Sequence, residues 1–119
     1  MPQDDATLDR LLVLDGEIME VGGGFWIKID ARRVPITSSR SHGVKYSLCL
    51  FAPDDRRVVC FDNAHPVTVG KGPARRRTAT SDHAHDGGRI VPYGYTDAGT
   101  LLVDFWDAVD TCLKKAGVP

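Results

Sequence analysis

The sequence is short of cysteine, of net charge and of long apolar runs, and each shortage removes a class of protein. Its three cysteines, Cys49, Cys60 and Cys112, are an odd number with no CxxC pair. Two of them sit inside apolar segments, so neither a disulfide framework nor a thiolate zinc site is suggested, and buried free thiols are expected. Fifteen Lys and Arg against sixteen Asp and Glu leave a formal net charge of -1. The average surface is therefore not that of a polyanion binder, and any nucleic-acid site must be local. No stretch approaches the roughly 20 apolar residues that cross a bilayer. The start, Met1-Pro2-Gln3-Asp4-Asp5, lacks the basic and apolar parts of a secretory signal. A cytoplasmic protein with no membrane partner is the expectation. Gly22-Gly23-Gly24 is not a phosphate loop, because the P-loop spacing and a following Lys-Ser or Lys-Thr are both missing. What is present is 119 residues, 42% hydrophobic and 26% charged. That suits one domain with a packed core, and is too apolar for a disordered chain.

The pattern of apolar residues predicts an α+β fold. Leu8, Leu11 and Leu12 have helical spacing, which fits a short N-terminal helix, although so short a segment also fits a strand. Residues 17–21 read as a strand, and after the glycine bend 25–32 alternate: Phe25, Ile27, Ile29 and Ala31 on one side, Lys28, Asp30 and Arg32 on the other. Residues 44–51 share a face through Tyr46, Leu48 and Leu50, and 57–62 return antiparallel after a turn at 53–56. Residues 63–88, rich in Gly and Pro, read as a long projecting loop, with order returning near 89–93. Thr96 is placed to cap a helix with Asp97 in its first turn. Leu101, Leu102, Phe105, Val109, Cys112, Leu113 and Ala116 form its apolar stripe, and Gly117-Val118-Pro119 stops it. The expected architecture is an antiparallel β-meander of about four to six strands against a C-terminal α-helix.

Chemistry is concentrated in the 63–88 stretch and beside it. His42 precedes a strand, His65 lies in Phe61-Asp62-Asn63-Ala64-His65, and His83 and His85 lie in Asp82-His83-Ala84-His85-Asp86. An extended His-x-His places both imidazoles on one side of the chain, as a divalent metal or a phosphate requires. The plainer alternative is surface histidines hydrogen-bonded to Asp62, Asp82 and Asp86. With an unperturbed pKa of about 6.5, one histidine can take a ribose hydroxyl proton while another protonates the leaving oxygen. Lys71, Arg75, Arg76, Arg77 and Arg89 supply cations in the same stretch. Such a basic loop can attract a phosphate backbone, though charge runs are also ordinary solvated surface. Cys60 has no base beside it in sequence and is not expected to be a nucleophile. Trp26, Tyr46, Tyr93 and Tyr95 could stack bases, but core or rim packing is the commoner fate of such residues.

Taken in order, His42-Gly43-Val44-Lys45-Tyr46-Ser47-Leu48, Phe61-Asp62-Asn63-Ala64-His65, Asp82-His83-Ala84-His85, Pro92-Tyr93-Gly94-Tyr95 and Leu102-Val103-Asp104-Phe105-Trp106 resemble the TumE-like toxin family over roughly residues 8–114. The resemblance implies a toxin of a toxin–antitoxin module and a cognate antitoxin protein as partner. It carries no residue-by-residue catalytic assignment. The chain has no helix-turn-helix pattern of its own, because Gly and Pro fill the region where paired helices would lie, so the antitoxin is the expected DNA reader. The favoured scheme is metal-independent cleavage or binding of RNA, without a cofactor. His83 or His85 acts as base, His65 or His42 as acid, Asp62 and Asp82 orient histidines, and Lys71, Arg75, Arg76, Arg77 and Arg89 hold phosphate. A non-enzymatic nucleic-acid or protein-binding module and a metal-binding hydrolase using the His-x-His pair stay open. A homodimer is also compatible with the sequence.

Overall fold

A computed structural model of the chain describes residues 5–36, 43–63, 68–69, 76–77, 82–86 and 89–119. His42, His65, Lys71 and Arg75 lie outside the described residues, and for Arg76, Arg77, Asp86 and Arg89 only the backbone is described. A short helix α1 (Leu8–Leu12) is followed by strands β1 (Ile18–Gly22), β2 (Phe25–Arg33), β3 (Val44–Phe51), β4 (Arg57–Asp62), β5 (Thr68–Val69), β6 (Arg76–Arg77), β7 (His83–Asp86) and β8 (Arg89–Pro92). Helix α2 (Ala98–Lys115) closes the chain. The main sheet is six-stranded with order β1-β2-β3-β4-β7-β8, and β5 and β6 pair separately. Every pairing is antiparallel, so the sheet is a meander into which the β5–β6 pair is inserted. The α+β fold is as the apolar pattern predicts, with β7 an addition: four residues expected in a loop form an inner strand of the sheet.

Strand alternation decides which residues meet the helices. Ile27, Ile29 and Ala31 of β2, Val44, Tyr46, Leu48 and Leu50 of β3, and Val59 and Phe61 of β4 are buried on one face. They form the core with Leu8 and Leu11 of α1 and Leu101, Phe105 and Val109 of α2. Phe61 stands edge-on to Phe105, with ring centroids 6.1 Å apart. Burying a side chain of this size stabilises the fold by about 1.5–3 kcal/mol. Tyr46 is buried in the same layer, so it packs and does not stack bases. Trp26 stacks on Phe51 at 4.3 Å and donates its indole N–H to Asp55.

Helix α2 begins one residue later than its sequence suggests. Asp97, not Thr96, is the N-cap, and its carboxylate accepts the Thr100 N–H at 2.7 Å. The two preceding free amides are satisfied from the far end of the chain: Ala98 N–H donates to Asp5 Oδ2 at 2.7 Å and Gly99 N–H to Thr7 Oγ1 at 2.8 Å. Gly99 permits that approach, since a Cβ there would stand 3.0 Å from Thr7 Cγ2. The N-terminal segment is thus pinned to the start of α2 and, through it, to the sheet.

Candidate functional site

The face of the sheet opposite the helices carries polar side chains from β2, β3, β4 and β7, while β8 places Ile90 and Pro92 there. Because Phe61 pairs with Ala84 on the core side, Cys60 and Asp62 of β4 and His83 and His85 of β7 must project from the other side. Cys60 is paired with His85, and Asp62 with His83. Across β2 and β3 the same two rows continue as Lys28 and Cys49, and as Asp30 and Ser47.

Asp62 is the centre of this arrangement. Its Oδ1 lies 3.2 Å from His83 Nε2 and its Oδ2 3.7 Å from His85 Nε2. Asp62 is 1% exposed and His83 4%, so the contact is sheltered from the solvent that weakens surface pairs. The imidazoles stand edge-to-face at 4.9 Å. Burial pushes the His85 pKa below its ordinary value, and the nearby Arg57 and His83 push it the same way, against the opposing pull of Asp62. Each of these three influences favours the uncharged imidazole, the form that can bind a metal or accept a proton.

Asp62, His83 and His85 each offer one ligand atom, and these atoms lie within 4.8 Å of one another. In a tetrahedral site with bonds of about 2.0–2.2 Å, neighbouring N and O donors stand roughly 3.4 Å apart. The carboxylate presents one oxygen to each imidazole near that spacing, Oδ1 at 3.2 Å from His83 Nε2 and Oδ2 at 3.7 Å from His85 Nε2. Two imidazoles and a carboxylate are a donor set suited to a first-row divalent ion, and the same three groups, without an ion, form a buried carboxylate–imidazole pair capable of proton transfer. Beside them is a concavity of about 490 Å³ lined by Lys28, Asp30, Ser47, Cys49, Phe51 and Arg57.

Of the residues singled out from sequence, the fold brings together Asp62, His83 and His85. Asp82 lies toward the helix side, where its carboxylate accepts the Tyr46 hydroxyl at 2.5 Å. Arg76 and Arg77 belong to the separate β5–β6 pair, and Arg89 opens β8 opposite Asp86. The expectation of free thiols is corrected for two of three cysteines. Cys49 and Cys60, opposed in the β3–β4 register, form a disulfide, and Cys112 is free. Sequence reasoning missed Cys60 and Arg57 as neighbours of the site. The period of 2 in β4 was the available signal, since it places Cys60 on the same face as Asp62.

No helix among the described residues is long and apolar enough to cross a membrane. No curated protein and no solved structure matches the chain. A family model described as "Toxin TumE" matches residues 5–113. The match begins at Asp5, whose carboxylate accepts the Ala98 N–H at the start of α2, and runs into that helix's last turns, taking in the whole sheet and the Asp62–His83–His85 cluster: the chain belongs to the TumE toxin family, whose toxin–antitoxin context implies an antitoxin partner.

Proposed function

We propose that the protein is the toxin of a toxin–antitoxin pair and acts as a divalent-metal-dependent hydrolase of RNA, with Asp62, His83 and His85 as the ligands of the ion. The observation that carries this reading is the convergence of three donor atoms within 4.8 Å on facing positions of two paired strands. A strand pair is a stiff support, and a metal site needs its ligands held to a fraction of an ångström. When bound, the ion supplies Lewis acidity toward a phosphoryl oxygen and a nucleophilic water at neutral pH. Lys28 and Arg57, on the rim of the adjoining concavity, would receive phosphate oxygens, and the Phe51 ring that also lines it would bound a base. Arg75, Arg76, Arg77, Lys71 and Arg89 extend the basic character along the chain and would lead the strand in by attraction to phosphate.

A second reading is favoured by the 3.2 Å separation of Asp62 and His83. In it the pair is a metal-free acid–base unit, with His65 or His42 as the complementary acid. One experiment separates them. The purified chain is treated with a strong chelator, desalted and incubated with single-stranded RNA, before and after readdition of Zn2+ or Mn2+. Cleavage abolished by chelation, restored by the ion and absent in Asp62→Asn supports the metal reading. Undiminished cleavage by the metal-free chain refutes it in favour of the acid–base pair. Growth arrest on expression with no RNA product under any condition refutes RNA as the substrate.

A further inference from the structure

The four residues Cys60, Asp62, His83 and His85 occupy a two-by-two block on one face of β4 and β7, with Cys60 opposite His85 and Asp62 opposite His83. Three corners of that block are the proposed ligand set. The fourth corner, Cys60, is 0% exposed, and its Sγ lies 3.5 Å from Asp62 Oδ2, the same oxygen that faces His85. For zinc, with Zn–S of about 2.3 Å and Zn–O near 2.1 Å, tetrahedral geometry requires a sulfur–oxygen separation of roughly 3.6 Å. The sulfur thus stands at ligand distance from the carboxylate while it is bonded to Cys49. Cys49 lies in the next strand, on the far side of Cys60 from the histidines.

We propose that Cys60 is a redox-controlled fourth ligand of this site. The inference rests on the metal reading given above and adds its regulation. With the Cys49–Cys60 disulfide intact, the site has three protein ligands and an open position, the pattern of catalytic zinc. With the disulfide reduced, the Cys60 sulfur completes a Cys-Asp-His-His set and the position is closed, the pattern of structural zinc. The exchange is balanced by an external thiol reductant, either two monothiols or one dithiol. Its sulfurs form a new S–S bond as the Cys49–Cys60 bond breaks, and its two protons and two electrons leave both cysteines as thiols. The Cys60 proton passes to solvent when the sulfur binds the ion. Cys49 is left as a thiol beside Ser47 Oγ at 3.5 Å. Reduction therefore tightens metal binding and suppresses hydrolysis, and oxidation does the reverse.

The full chain, with its thiols counted in each state, is titrated with Co2+ and with Zn2+ after oxidation and after reduction. Reduced protein is expected to develop a near-ultraviolet thiolate-to-cobalt charge-transfer band that oxidised protein lacks. It should bind Zn2+ more tightly by at least the roughly 10–100-fold that loss of an outer-shell partner costs. Cys49→Ser leaves Cys60 permanently available and should give the band without reductant, Cys60→Ser should abolish it, and Cys112→Ser should behave as the unaltered chain. Circular dichroism of each variant verifies the fold, and the unaltered chain in two redox states carries the test even if one variant fails to fold. Binding of Co2+ in both states with equal affinity and no charge-transfer band overturns the role of Cys60 and leaves the three-ligand reading standing. Failure to bind either ion in either state overturns both.

Discussion

Replacing Asp5 by alanine removes a carboxylate that ties the two ends of the chain together, and its cost can be worked from the contacts. Asp5 Oδ2 accepts the Ala98 N–H at 2.7 Å and the Tyr95 hydroxyl at 3.4 Å, and Oδ1 accepts the Thr7 N–H at 2.9 Å and the Thr7 hydroxyl at 2.5 Å. Loss of an N-terminal cap typically costs about 0.5–2 kcal/mol, and loss of a negative charge at a helix N-terminus about 0.3–1 kcal/mol. Those contributions overlap, so the expected loss at pH 7 is about 1–2 kcal/mol. For a chain of this size that lowers the melting temperature by roughly 4–8 °C. Burial pushes the Asp5 pKa up, but the hydrogen bonds from Thr7, Ala98 and Tyr95 outweigh it and hold the group below the ordinary carboxylate value. A group depressed in this way stabilises the fold above its unfolded pKa of about 3.9 and loses that contribution as pH falls through the folded value. Urea denaturation of the unaltered chain and of Asp5→Ala, near pH 7 and again below the carboxylate range, measures both effects. The difference should be largest at neutral pH and shrink in acid. A difference under about 0.5 kcal/mol at pH 7 would refute the capping role, and a difference independent of pH would refute its electrostatic part.

Phe105→Ala should lower stability by about 3–5 kcal/mol, because the ring is fully buried against Phe61 and the cavity cannot close around a helix fixed at its N-terminal end; near-normal chemical denaturation would contradict the helix-on-sheet packing. Burial raises the pKa of Tyr46, Tyr93 and Tyr95 above the ordinary phenol value, reinforced by carboxylate partners, Asp82 for Tyr46, Asp104 for Tyr93 and Asp5 for Tyr95. Unfolded tyrosines ionise first as the solution becomes alkaline, so stability contributed below pH about 10 is lost above it. Phenolate absorbance should therefore rise together with loss of circular dichroism, and reversible ionisation of a folded chain near pH 10 would contradict these contacts.

Much of the fold is written in patterns that short-range physics fixes. The alternation of Ile27, Ile29 and Ala31 against Lys28, Asp30 and Arg32 sets the buried face of β2, and the stripe of Leu101, Phe105 and Val109 sets the inward face of α2. The outward end of that stripe was less legible: Ala116 is the exposed C-cap, since the helix ends before it can turn inward. Thr96 and Asp97 are both good caps, and only the approach of Thr7 and Asp5 to the next two amides fixes the start at Asp97. Strand β7 escaped notice because Ala84 is its one small apolar residue between two histidines, leaving no hydrophobic alternation to read. Its place is decided by pairing with β4 on one side and β8 on the other. The same pairing decides the site. The sequence holds the His-x-His spacing and an aspartate some twenty positions earlier, but that Asp62 meets both imidazoles, and that Cys60 lies beside it, depends on the β4–β7 register. Likewise the Cys49–Cys60 bond follows from the β3–β4 register, which an odd count of cysteines conceals.

The central claim is that Asp62, His83 and His85 bind one divalent ion. The most direct measurement is the stoichiometry of Zn2+ bound to the purified chain, by calorimetric titration with elemental analysis of the dialysed complex, compared with Asp62→Asn and with the His83→Ala/His85→Ala double variant. The account predicts one ion per chain for the unaltered protein and none for either variant, each still showing the β-rich circular dichroism of the parent. A folded parent that retains no ion, or variants that bind it as tightly as the parent, would contradict the claim.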